Sequence, residues 1–173
     1  MEILVRSARE AVKNDNYYAA LFIALSLPDI CGKIEHYTKK SKERYIKWCD
    51  DYFINEEFCI FGRSTMKYSN GITSSDIYAL RCAMLHEGST NISGQPAHNL
   101  IKKFIFTVCK NNYVNFCGHN GKMNFDVAHF CNDMCDCVTK WLSKNPTKLP
   151  IDITVEGKDG SFLLGEGINI SIG

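Results

Sequence analysis

Apolar and polar positions alternate along most of this chain with a helical period. From Glu2 to Lys13 the apolar residues Ile3, Val5, Ala8 and Val12 recur at helical spacing, and Asn14-Asp15-Asn16 then breaks the pattern and can cap a second helix. Tyr17 to Leu27 is apolar almost all round, through Tyr18, Ala19, Leu21, Phe22, Ile23 and Leu25, as a helix buried on most sides would be. Pro28 is expected to interrupt or kink it. The two segments predict a helical hairpin. Lys39 to Phe53 predicts a third, amphipathic helix, with Tyr45, Ile46, Cys49 and Phe53 near one stripe and Lys40, Lys42, Glu43 and Asp50 facing outward. Between Glu56 and Tyr68, apolar and basic residues mix around Gly62 without a clear period.

Further along, Ser74 and Ser75 can cap a helix in which Asp76 occupies the first turn and Ile77, Leu80 and Met84 form the buried stripe, with Gly88 as its stop. The period changes after Ile101. Phe104 to Val108 and Tyr113 to Phe116 are β-prone runs flanking Lys110-Asn111-Asn112, which predicts a hairpin over residues 101–116, with a helix over 100–109 as the rival. Asp126 to Ser143 returns to a strong helical repeat through Val127, Phe130, Met134, Val138, Trp141 and Leu142. After Pro146 and Pro150, Ile151 to Val155, a glycine turn around Gly157 and Gly160, then Phe162 to Leu164 and Ile168 to Ile172 predict a β-meander of about three short strands.

The expected fold class is therefore mainly α within α+β: a bundle of four to five helices, an inserted β-hairpin and a C-terminal β-meander. Its 173 residues, 45% of them hydrophobic, can bury one core, so residues 1–148 are read as the helical domain and 149–173 as a β-rich tail of the same domain. Twenty basic against 19 acidic residues leave a formal charge of +1, so no overall field draws the chain onto nucleic acid or an anionic membrane. The N-terminal apolar run is too short for a signal peptide, and no window is expected to reach the roughly 18 apolar residues of a membrane span. A cytoplasmic protein with no membrane partner is the expectation. In that compartment the nine cysteines would stay reduced.

The sharpest chemical signal is Arg81-Cys82-Ala83-Met84-Leu85-His86. Histidine titrates near neutrality and moves protons, while arginine offers a permanently charged planar fork to a phosphate. The pair can therefore assist attack of a 2'-hydroxyl on the adjacent phosphate without a metal. On a straight α-helix two residues five apart stand about 140° from each other. They converge only if the helix ends near His86, or if two copies meet across a two-fold axis and make a homodimer part of the site. The competing reading is a structural ion pair for Arg81 and a C-terminal helix position for His86.

Arg81-x4-His86 at the end of a helix, in a helical domain of this size, resembles the R-x4-6-H motif of the HEPN superfamily. The resemblance implies a helical bundle that commonly dimerises and, in many members, a metal-independent ribonuclease of toxin, phage-defence or RNA-processing systems, with Arg81 and His86 catalytic and no cofactor. The longer strings Tyr78-Ala79-Leu80-Arg81-Cys82, Leu85-His86-Glu87-Gly88 and Leu27-Pro28-Asp29-Ile30-Cys31-Gly32 also look like a set of uncharacterised bacterial and phage proteins. Cys82 stands where active members usually carry Asn, Asp or His. The alternative function is a non-catalytic protein that binds a partner protein or a small ligand through the same bundle.

Two other groupings bear on chemistry. Lys39, Lys40, Lys42, Arg44 and Lys47, with Tyr45 and Trp48 interleaved, form the densest basic stretch. Lys40, Arg44, Lys47 and Trp48 are the candidate RNA-binding residues there, against a solvated helix face. Cys117, His119, His129, Cys131, Cys135 and Cys137 could suggest zinc, but no C-x2-C knuckle is present and buried thiols are the expectation. Cys82 is read in the same way, as a buried thiol rather than a nucleophile.

Overall fold

The strong helical periods become helices that pack into a bundle. The structure, a computed structural model, describes residues 1–55, 57–60, 63–66, 72–87, 104–108, 117–119 and 122–145. Among them α1 spans Glu2–Lys13, α2 Tyr17–Glu35, α3 Ser41–Cys49, α4 Ser74–Cys82 and α5 Val127–Lys144. Between α1 and α2, Asp15 takes a positive φ of 56°, a conformation Asp tolerates better than most residues. The Asn16 side chain then accepts from the Ala19 amide and starts α2.

Pro28 does not end α2, which runs on to Glu35. A proline inside a helix removes one N–H and crowds the preceding turn. The buried Tyr45 hydroxyl of α3 donates to the Leu25 carbonyl at 3.0 Å in the turn before the proline. Contrary to the expectation from composition, α2 is long and apolar enough to cross a membrane, with a mean hydropathy of 1.3 in its most apolar window. In the fold α2 packs against α1, α3, α4 and α5, and 44% of that window is buried inside the protein. Its apolarity therefore has core partners.

Two π-helical turns follow directly on α-helices. Asp50–Ile54 extends α3 and carries the buried Phe53 into the core, and Ala83–Glu87 extends α4. The cap of α4 is Thr73 rather than Ser74 or Ser75: Thr73 and Asp76 bond each other's backbone amides in a capping box. Ser74 is the first helical residue, and its hydroxyl bonds the Asp50 carboxylate. On α5, Asp126 caps the helix by accepting from the His129 amide at 2.8 Å.

The strands are short. β1 (Glu57–Ile60) and β2 (Arg63–Met66) pair antiparallel in the stretch that had no clear period. β3 (Phe104–Thr107) lies parallel to β5 (Lys122–Asp126), and β4 (Cys117–His119) pairs antiparallel with β5 on the other side. The expected strand over Phe104–Val108 is present at Phe104–Thr107, and its partner among the described residues is β5. Tyr113–Phe116 lies outside the described residues. The aromatic core supports the pairing of β3 with β5. Phe106 and Phe125 place their rings 5.9 Å apart and both meet Phe130 of α5, at 5.5 and 6.1 Å. Gly88 and the expected meander over the C-terminal tail also lie outside the described residues.

Candidate functional site

Asp29 is the first charged residue in α2 after an uncharged run from Tyr17 to Pro28. A carboxylate on a helix this buried needs a partner. It finds one in Arg81 of α4: the guanidinium Nε and Nη2 both donate to Asp29 Oδ2, each at 2.6 Å. The two side chains are 16% and 17% exposed, so solvent screens the pair only from one side. Burial works against the arginine's charge, but the charge of Asp29 and hydrogen bonds with Cys82 and Asp29 outweigh it and hold the guanidinium above its ordinary range.

Other groups complete the surroundings. Cys82 Sγ lies 4.0 Å from Arg81 Nη1. It also takes part in a hydrogen bond with Tyr78, whose hydroxyl is pushed up first by burial and then by that bond. The Tyr78 ring meets the edge of Tyr45 at 5.4 Å. Ser41, at the start of α3, places its hydroxyl 3.5 Å from Asp29 Oδ1. Three helices thus converge on Arg81. Their approach is close because Gly32 of α2 has no side chain: a Cβ there would sit 2.7 Å from the Arg44 carbonyl oxygen.

The turn after Arg81 changes the geometry expected for Arg81 and His86. In a π-helical turn the hydrogen bond joins residues five apart, so such positions are closer in angle than on an α-helix. Most of the path from Arg81 to His86 lies in the wide turn Ala83–Glu87. Positions 81 and 86 therefore come toward one side of the helix instead of standing about 140° apart as on a straight α-helix.

The basic stretch divides. Trp48 is fully buried against Tyr52, at 5.3 Å between ring centres, so its ring is not on the surface where a base could stack. Lys47 is bonded to Asp51 at 2.9 Å, and Arg44 donates to the Lys39 carbonyl at 3.3 Å. Lys40 precedes α3 as an exposed residue. A shallow depression beside α3 is lined by Lys39, Lys42, Glu43, Ile46, Lys47, Asp50 and Asp51, mixing both signs of charge.

Among the described residues no three potential metal ligands cluster. Cys131 and Cys135 are buried thiols, pushed up to about 12 and about 11, chiefly by burial. His129 turns its Nδ1 to Asp126 at 2.8 Å. Cys82, expected to be buried, is only half-buried.

Residue type and spacing alone do not mark Asp29 as a partner of Arg81. The available signal was a lone carboxylate beside a proline in an apolar helix. A comparison of the chain with family models, curated proteins and solved structures finds no match.

Proposed function

We propose that the chain is a HEPN-like, metal-independent endoribonuclease of the cytoplasm, in which Arg81 and His86 act on the RNA backbone. The observation that carries this reading is the wide turn after Arg81, which brings position 86 toward the side of an arginine already anchored by Asp29. π-helical insertions in α-helices are frequent at functional sites because they cost backbone regularity and persist where a displaced side chain is needed.

In this mechanism the RNA 2'-hydroxyl attacks the adjacent phosphorus and the bond to the 5'-oxygen breaks. The products are a 2',3'-cyclic phosphate and a 5'-hydroxyl end. One proton leaves the 2'-oxygen and one is delivered to the leaving 5'-oxygen, and His86 is the group that moves protons. Arg81 stabilises the charge that builds on the phosphate oxygens. A guanidinium has five N–H donors, so a carboxylate anchor and a phosphate can share it. A homodimer is part of the same reading, since it would pool Arg81 and His86 from two copies across a two-fold axis.

A second reading has its own support. Asp29 neutralises Arg81 inside the fold, as it would in a structural ion pair of a protein that binds a partner or small ligand without catalysis. Incubating mixed RNAs with the protein in EDTA separates the two. Cleavage that is lost in Arg81→Ala and His86→Ala supports the nuclease. Intact RNA, or a His86→Ala protein that cuts like the wild type, leaves the binding reading in its place.

A further inference from the structure

The lysines at the start of α3 differ in their surroundings, and one of them belongs to the Arg81 site. Lys47 is committed to Asp51, with both carboxylate oxygens at 2.9 to 3.0 Å. Lys42 is exposed and, among the described residues, has no carboxylate within ion-pair distance. Its ammonium instead stands over the Tyr78 ring, 6.0 Å from the centre. That distance is at the outer limit of a cation–π contact, which leaves the ammonium accessible to an anion.

Tyr78 lies one helical turn before Arg81 and bonds Cys82, the neighbour of that arginine. Ser41, the residue before Lys42, reaches Asp29 Oδ1, while Asp29 Oδ2 holds Arg81. The start of α3 is thus tied to the arginine from two directions, through Tyr78 and through Asp29.

We infer that Lys42 is the second cation of the site and holds the phosphate next to the one that Arg81 engages, so the substrate is a polynucleotide backbone rather than an isolated phosphodiester. This inference rests on the ribonuclease reading above. It singles out Lys42 from a stretch in which Lys40, Arg44 and Lys47 had looked equivalent or better.

The test uses a single-stranded RNA of about ten nucleotides, with cleavage kinetics and fluorescence-anisotropy binding measured at several salt concentrations. Lys42→Gln should raise KM about tenfold with kcat within twofold, and should lower the slope of log affinity against log salt by about 0.7, the value for one phosphate contact on a single strand. Lys42→Arg should restore both. Lys13→Gln, which removes an exposed lysine of α1, serves as the control for charge alone. A dinucleotide with one phosphodiester should be cut equally by wild type and Lys42→Gln. If the wild type cuts RNA but Lys42→Gln keeps its KM and salt slope, or if Lys13→Gln shows the same losses, the inference is overturned while the nuclease stands. If the wild type cuts no RNA, the nuclease reading itself fails and Lys42 has no phosphate to hold.

Discussion

Two carboxylates of α2 show how a charged residue is accommodated in an apolar helix. Asp29 takes the guanidinium of Arg81, and Glu35 accepts from the Tyr52 hydroxyl at 2.7 Å and from the Trp141 indole at 2.8 Å. Removing one partner of a largely buried ion pair leaves the other uncompensated, which costs roughly 2–4 kcal/mol, while removing both adds little. Asp29→Ala and Arg81→Ala should each lower stability by about that amount, and the double variant should fall little below either one. Urea denaturation of the four proteins checks this; simple additivity would mean that the two side chains are not coupled. At the other carboxylate, Tyr52 is pushed up to about 12 from an ordinary value of 10, first by burial and then by its bond to Glu35. A pKa raised by folding contributes stability that is complete below pH 10 and is lost as the pH climbs toward about 12. Tyr52→Phe should therefore cost about 1–2 kcal/mol at neutral pH and flatten the decline in stability across that alkaline window. An unchanged alkaline profile in Tyr52→Phe would remove this bond from the account.

At the scale of elements, periodicity predicted the helices well because their apolar stripes are what the bundle buries. Val127 to Trp141 repeats at helical spacing and supplies much of the core face of α5. Features that depend on a distant partner were less legible. Nothing local says that Tyr45 will donate to the Leu25 carbonyl, nor that β3 will pair with β5. The wide turns are hidden for the same reason, since the residues of Ala83–Glu87 are ordinary helix formers. Arg81 and His86 could thus be picked from the sequence by residue type, but their spatial relation could not. Gly32 marks where α2 and α3 touch, and its replacement tests that contact. Gly32→Ala gains about 1 kcal/mol in helix propensity. Against this, a Cβ at 2.7 Å from a backbone oxygen forces the two helices apart at a cost of about 1–3 kcal/mol. The variant should be less stable by thermal melting and should weaken the link from Ser41 to Asp29; a more stable Gly32→Ala protein would show that α2 and α3 do not approach so closely.

At the scale of the molecule, the near balance of charge means that any RNA contact would be local, and the candidate residues have different surroundings. Arg81 is inside the pair with Asp29, Lys47 is bound to Asp51, Trp48 is in the core, and Lys42 stands over Tyr78. The helical bundle holds these groups by packing α2, α3 and α4 around the arginine, and the wide turn carries the chain toward His86. The most direct measurement is cleavage of a defined single-stranded RNA in EDTA, with analysis of the product ends, for wild type, Arg81→Ala and His86→Ala. General acid or base assistance is typically worth about 10² to 10⁴ in rate, so its loss is plain in a gel assay. The proposed mechanism requires chelator-resistant cleavage by the wild type, 2',3'-cyclic phosphate ends, no cutting of the matching DNA because it lacks the 2'-hydroxyl, and at least about a hundredfold loss in each variant. RNA left intact by the wild type, or cut equally by His86→Ala, would contradict it.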